Sequence, residues 1–180
     1  SNGMHAVQDQ FGDDASRRGS IQVDFQNIRD PSTYTVVVTD NGIGLEDERF
    51  RAFCTTDTPF KIARGGKGVG RLLWLDAFAL VKVDSIYAGD GGLYRRKFDF
   101  SLSSDEPIFN ETISRVEGTA EPGTSITLTG LRSNSYSAKM PVQFAVIQKH
   151  FASHFLADFL LGKAPGMTIA FEDRDARFPQ

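Results

Sequence analysis

The sequence contains a single cysteine, Cys54, among 180 residues. One cysteine excludes a disulfide within the chain and is typical of a reducing compartment, so we expect a cytoplasmic, intracellular protein. Apolar runs are also short: none approaches the roughly 18 residues that a membrane-spanning helix needs, and no secretory signal is recognisable. The formal net charge is only −3, which predicts no general affinity for nucleic acid or for an anionic membrane.

What the chain does contain is an ordinary globular composition, with 40% hydrophobic and 24% charged residues. This balance and the length predict one domain over residues 1–180. The first residues have no initiating methionine and resemble the middle of a helix, so we expect a piece of a larger protein. Alternatively, Ser1 and Asn2 are a cloning remnant. Residues 165–180 are the expected start of a connection to a following domain.

Apolar spacing predicts the elements of an α+β fold. Phe98, Phe100 and Leu102 alternate with polar residues, which indicates an antiparallel sheet with one face on the core. Residues 12–19 are predicted to form a polar loop, and Gly89–Gly92 a hairpin turn. The predicted helices cover 2–11, 46–53, 72–80 and 141–161, and the predicted strands cover 21–25, 33–39, 81–88, 93–102, 108–116, 125–129 and 167–171.

Two of the three histidines, His150 and His154, lie four residues apart in the longest predicted helix. That spacing suits two metal ligands on one helix face, but no third ligand is evident. We therefore favour plain helix surface for this pair. The phenylalanines that recur along the same helix predict a face packed on the core.

The segment Asp40-Asn41-Gly42-Ile43-Gly44 follows a strand that is rich in valine. Its Asn-Gly pair alone favours a tight hairpin turn. However, the next residues have acids in a first helical turn instead of a matching strand. A strand, a glycine turn and then a helix form a geometry that is typical of a ligand site.

Residues 64–71 contain four glycines, one lysine and two arginines, directly before a predicted helix. Glycine lets backbone N–H groups approach an anion, and a helix N-terminus adds a favourable dipole, so the segment is a candidate phosphate cradle. A flexible connector is the alternative. The spacing does not match a Walker loop.

The order of these segments resembles the GHKL ATPases, which include gyrase B, chaperones of the ninety-kilodalton class, histidine kinases and MutL. Three motifs carry the resemblance: the Asp40–Gly44 turn, the glycine segment from Gly65 to Gly70, and Gly123-Thr124 before a strand. Asn2-Gly3-Met4-His5-Ala6 also matches the family's Asn-bearing helix, with His5 where the family has Asp. The long helix followed by a closing strand is most similar to the chaperone class.

The resemblance implies a site for ATP. Asp40 would accept a hydrogen bond from the adenine amino group, and Thr124 would bond near Asp40 or to a bridging water. Gly42 would let adenine lie against the backbone, and Gly44 would allow the sharp exit into the next helix. Asn2 would reach Mg²⁺ through its amide oxygen, and the metal would bridge the phosphates. The phosphates themselves would be wrapped by Gly65, Gly66, Lys67, Gly68, Val69 and Gly70.

The resemblance further implies a Bergerat-type two-layer sandwich, in which helices cover a mixed and mostly antiparallel sheet. ATP would order the lid, residues 54–71, and the ordered lid would alter contacts with other domains of the chain or with a second copy in an ATP-dependent homodimer. The family's general-base Glu would lie four residues before Asn2, so no catalytic residue is expected within this chain. The intact protein would be an ATPase. The alternatives are an inactive nucleotide-binding scaffold and a plain α/β domain that binds another anion.

Overall fold

The computed structural model describes residues 2–54, 70–101, 107–133, 140–171 and 174–178. Its helices are α1 (Asn2–Phe11), α2 (Ala15–Arg18), α3 (Asp47–Cys54), α4 (Gly70–Ala77), α5 (Phe144–His154) and α6 (Leu156–Leu160), and a 3-10 turn covers Gly12–Asp14. Its strands are β1 (Ser20–Gln26), β2 (Thr35–Asp40), β3 (Phe78–Gly89), β4 (Gly92–Phe100), β5 (Ile108–Arg115), β6 (Gly123–Leu131), β7 (Gly166–Phe171) and β8 (Arg174–Phe178). No helix in these ranges is long and apolar enough to cross a membrane.

All eight strands belong to one sheet, in the order β5-β4-β3-β6-β2-β1-β7-β8. The β1–β7 pair is parallel, and every other neighbouring pair is antiparallel. The predicted mixed, mostly antiparallel sheet of an α+β fold is thereby confirmed. β6 runs beside β2 on one side and beside β3 on the other, so it joins the two halves of the sheet.

The core lies on one face of this sheet. On β3, Val81 and Val83 are buried while Lys82 between them is exposed, and the same alternation recurs on β4. Apolar side chains of four helices join the same cluster; they are Val7, Phe53, Leu75 and Ile147. The phenylalanines of α5 and α6 pack against it too, which confirms the predicted core face.

Two predicted elements in the first half of the chain differ from the structure. Residues 12–19 form a 3-10 turn and the short helix α2 instead of a loop, and the N–H of Gly19 closes that helix on the carbonyl of Ala15. The helix predicted to reach residue 80 ends at Ala77. Phe78 and Leu80 are already paired with β6, because the apolar run continues as a buried strand and not as helix surface.

The C-terminal region differs as well. The single helix predicted from 141 begins at Phe144 and is interrupted at Phe155, whose φ is −101° and ψ 10°. With this break, the rings of both Phe151 and Phe159 contact Phe178, at 5.5 and 5.8 Å between centroids. Phe178 belongs to β8, a strand that the sequence analysis missed. Its short alternation of charged and apolar residues is recognisable only once β7 provides a neighbour.

Candidate functional site

Asp40 is the last residue of β2, in the interior of the sheet, and its side chain is buried with 8% exposed. Its neighbours across the sheet are Ile21 on β1 and Thr124 on β6. The N–H of Gly42 donates to Asp40 Oδ1 at 2.9 Å. The second oxygen, Oδ2, lies beside α1, because a Cβ on Gly3 would be 3.3 Å from it.

Burial raises the pKa of Asp40 to about 6, and the hydrogen bond from Gly42 opposes this shift only in part. A buried carboxylate is unfavourable unless hydrogen-bond donors surround it. An aspartate with a structural role usually forms an ion pair with a basic side chain or is exposed to solvent. A carboxyl group that is kept buried with a raised pKa is a common property of functional sites.

The turn after Asp40 is held by hydrogen bonds of the Asn41 side-chain amide. Asn41 Oδ1 accepts the N–H of Ser20 at 2.7 Å, and Asn41 Nδ2 donates to the carbonyl of Arg18 at 2.9 Å. The N–H of Ile43 donates to the carbonyl of Ala6 on α1 at 3.1 Å. The turn is therefore anchored both to the start of β1 and to α1, and it is not the hairpin that Asn-Gly alone would favour.

Both glycines of the turn are required by close packing. A Cβ on Gly42 would lie 2.5 Å from the backbone carbon of Ala6. Gly44 has φ +83°, and a Cβ there would lie 2.2 Å from the carbonyl oxygen of Ile86 on β3. Only glycine permits these approaches. The structure thus gives the glycines a packing role, whereas the predicted contact of Gly42 with a base stays a prediction.

Thr124 is buried beside Asp40, and its hydroxyl lies 2.9 Å from the hydroxyl of Ser85 on β3. Ser85 is fully buried and also accepts the N–H of Leu45 at 2.9 Å. Ser85 was not predicted from the sequence, because a serine within an alternating strand carries no signal of its own. Arg96 on β4 was not predicted either; its buried guanidinium donates to the carbonyl of Leu45.

The remaining predicted site residues either begin a helix or lie outside the described residues. Asn2 is the exposed first residue of α1, and it directly precedes Gly3, the residue that lies beside Asp40 in space. Gly70 is the first residue of α4. Gly65, Gly66, Lys67, Gly68 and Val69 lie outside the described residues. Among the residues that are described, no three His, Cys, Asp or Glu side chains are grouped so that they would hold a metal.

The arrangement is suited to a ligand that donates a hydrogen bond. Asp40 Oδ1 already accepts the N–H of Gly42, so Oδ2 is the oxygen left for a ligand donor. The hydroxyl of Thr124 has both a donor and lone pairs, and it lies on the strand next to Asp40. Together they place a hydrogen-bond acceptor and a hydroxyl that can donate or accept side by side on one face of the sheet.

Neither a protein-family model nor a curated protein matches the sequence. Solved structures do match. The ATPase region of Saccharomyces cerevisiae topoisomerase II superposes with a TM-score of 0.59 at 10% identity, over 96% of this chain and 46% of that chain. The same region bound to ICRF-187 (dexrazoxane) gives the same values. The chain thus spans about half the length of these structures, and it shares the α+β fold of that ATPase region.

Proposed function

We propose that this chain is the ATP-binding domain of a larger ATP-dependent protein, with Asp40 as the residue that recognises adenine. One observation carries the proposal. A buried carboxylate with a raised pKa lies at the end of a central strand beside Thr124, in a fold shared with an ATPase region. The exocyclic amino group of adenine would donate to Asp40 Oδ2.

Thr124 supplies the second polar contact of the base. Its hydroxyl would bond to the adenine ring directly or through a water that also touches Asp40. Guanine presents an acceptor where adenine presents the amino group, so an ionised Asp40 would repel it. The site is expected to select ATP and ADP over GTP for this reason.

The phosphate side of the proposal is supported by the sequence alone. Backbone N–H groups of the glycine segment would surround the phosphates, and Lys67 would neutralise the terminal one. The amide oxygen of Asn2 would hold Mg²⁺, which would bridge the phosphates. Its exposed position at the start of α1, next to the Gly3–Asp40 contact, fits that role. Closure of residues 54–71 over the nucleotide would act as the conformational switch.

The chemistry of the intact protein follows from the same resemblance. A Glu four residues before Asn2 would activate the attacking water, and the intact protein would hydrolyse ATP. The assembly would be an intracellular, ATP-dependent homodimer of the chaperone class. An inactive scaffold is the alternative, and phosphate release by a chain that includes the upstream position distinguishes the two.

Calorimetric titration with ATP and Mg²⁺ tests the proposed function directly. Asp40→Asn retains an acceptor for the N–H of Gly42 but places an amide donor against the adenine amino group. We expect at least about thirty-fold weaker binding, which corresponds to about 2 kcal/mol. Asp175→Asn on the exposed part of β8 is the matched control and should bind as the wild type does. Equal affinity of Asp40→Asn and the wild type would rule out this base site.

A further inference from the structure

The backbone of Leu45 is held at both its N–H and its carbonyl by buried side chains. Leu45 follows Gly44 directly and is the first residue beyond the turn. Its N–H donates to Ser85 Oγ at 2.9 Å, and its carbonyl accepts Arg96 Nη1 at 2.7 Å. Ser85 is fully buried and Arg96 is 2% exposed, so water does not compete for either bond.

Ser85 connects the backbone of Leu45 to Thr124, the residue beside Asp40. Because its oxygen accepts the N–H of Leu45, its single proton goes either to the carbonyl of Gly123, at 3.2 Å, or to Thr124 Oγ1, at 2.9 Å. In the first arrangement Thr124 donates to Ser85 and offers lone pairs to the site. In the second, the proton of Thr124 is free to point at the acceptor of a base.

Arg96 connects the carbonyl of Leu45 to α3. While Nη1 holds Leu45, Nη2 donates to the carboxylate of Asp47, the first residue of α3. Nε lies 3.1 Å from Glu111 Oε1 on β5. The guanidinium carbon lies 4.2 Å from the ring centroid of Phe50, also on α3. A planar guanidinium makes the two Nη hydrogen bonds at once, whereas the single ammonium of lysine does not reproduce the fork.

We propose that Ser85 and Arg96 are positioning residues of the nucleotide site. By fixing the N–H and the carbonyl of Leu45, they hold the exit of the Asp40–Gly44 turn against β3 and β4. The turn in turn places the N–H of Gly42 on Asp40, and Ser85 also orients the hydroxyl of Thr124. This inference rests on the proposed function, because adenine recognition is what the positioned groups would perform.

The test compares Ser85→Ala and Arg96→Lys with Arg95→Lys as the matched control. Arg95 is the adjacent residue on β4 and also holds a carboxylate, that of Asp84, with two nitrogens, but its side chain is 44% exposed on the other face of the sheet. ADP affinity is measured by calorimetry at a temperature where circular dichroism shows each variant to be folded. We expect about tenfold weaker binding for Ser85→Ala and for Arg96→Lys, and none of that loss for Arg95→Lys.

Two further readouts separate positioning from a general loss of stability. Exchange of the Leu45 amide with solvent deuterium should accelerate in Ser85→Ala without nucleotide, because the acceptor of that amide is gone. The double variant Ser85→Ala, Arg96→Lys should lose less ADP affinity than the two single losses combined, since both residues act on the backbone of Leu45.

The outcomes are distinguishable. If wild type binds no ADP, the proposed function fails and the positioning role fails with it. If wild type binds ADP and both single variants bind it equally well, the positioning role is wrong and the proposed function stands. Fully additive losses in the double variant would also overturn the shared action through Leu45.

Discussion

Asp40 and Asp84 occupy the same level of the sheet on opposite faces. Their partners on β6 are consecutive, since Asp40 pairs with Thr124 and Asp84 with Ser125. Asp84 lies on the outer face of the β3–β4 hairpin, is about one-third exposed, and contacts both Arg95 and Lys97. Asp40 lies on the covered face, is almost fully buried, and accepts a backbone N–H.

The pKa values of the two carboxyl groups are shifted in opposite directions. Partial burial would raise the pKa of Asp84, but hydrogen bonds and charges from Arg95 and Lys97 outweigh it and lower that pKa. Burial dominates at Asp40 and raises its pKa to about 6. Asp84 thus belongs to an ordinary structural ion pair. Asp40 remains ionisable at a cost to stability, and the proposed recognition of a ligand donor would give that cost a function.

The glycines of the two regions give the largest expected contrast in stability. Gly44 after β2 and Gly91 in the hairpin both have positive φ, of +83° and +76°. A Cβ on Gly91 meets nothing within 4 Å, whereas one on Gly44 overlaps the carbonyl of Ile86. We expect Gly44→Ala to lower the free energy of unfolding by about 3 kcal/mol or more, and Gly91→Ala by about 1 kcal/mol. Urea unfolding measures both, and equal losses would contradict the tight packing of the turn.

Substituting the two aspartates should change stability with opposite signs. One pKa unit corresponds to about 1.4 kcal/mol, so keeping Asp40 ionised at pH 8 costs the folded state up to about 3 kcal/mol. We expect Asp40→Asn to raise the free energy of unfolding at pH 8 by about 1 to 3 kcal/mol in the absence of nucleotide. Asp84→Asn should lower it by no more than about 1 kcal/mol. A loss in Asp40→Asn as large as that in Gly44→Ala would mean that the carboxylate is structural.

The pH dependence sharpens the same comparison. The folded pKa of Asp40 lies above its ordinary value of 3.8, so the unfolded chain releases this proton first as the pH rises. The stability of wild type relative to Asp40→Asn should therefore fall between about pH 4 and pH 6 and stay low above that. Subtracting the two curves removes the carboxyl groups that both proteins share. A difference curve that rises with pH would show that Asp40 has a lowered pKa.

The smallest effect on stability is expected at Lys97, the more exposed of the two basic partners of Asp84. Lys97 Nζ lies 3.4 Å from Asp84 Oδ2, and the lysine side chain is half exposed. Exposed pairs of this kind contribute little, so Lys97→Gln should lower the free energy of unfolding by less than about 0.5 kcal/mol. Thermal unfolding in low and high salt measures it. A larger or salt-independent loss would mean that this region is more tightly coupled than the geometry indicates.

Local sequence patterns predicted most of the sheet and the site turn. β1, β2, the β3–β4 hairpin and the helix after Gly44 follow from alternation, turn residues and acids in a first turn. Ser85 and Arg96 were not predictable, because each acts on Leu45 from a strand that lies 40 or more residues further along the chain. The break at Phe155 and strand β8 depend on each other in the same way. The predicted phosphate segment, residues 65–69, lies outside the described residues, so its role stays a prediction.

The pKa of Asp40 in the presence and absence of nucleotide tests the central claim most directly. Carbon-13 NMR of labelled aspartate, with Asp40→Asn to assign the signal, would follow the carboxyl group through a pH titration. Adenosine is the preferred ligand because it has no phosphate that titrates in the same range. We predict a pKa of about 6 in the free protein and a clearly lower one when adenosine is saturating, because an amino donor favours the ionised carboxylate. A pKa near 3.8 in the free protein, or one that adenosine leaves unchanged, would contradict the account.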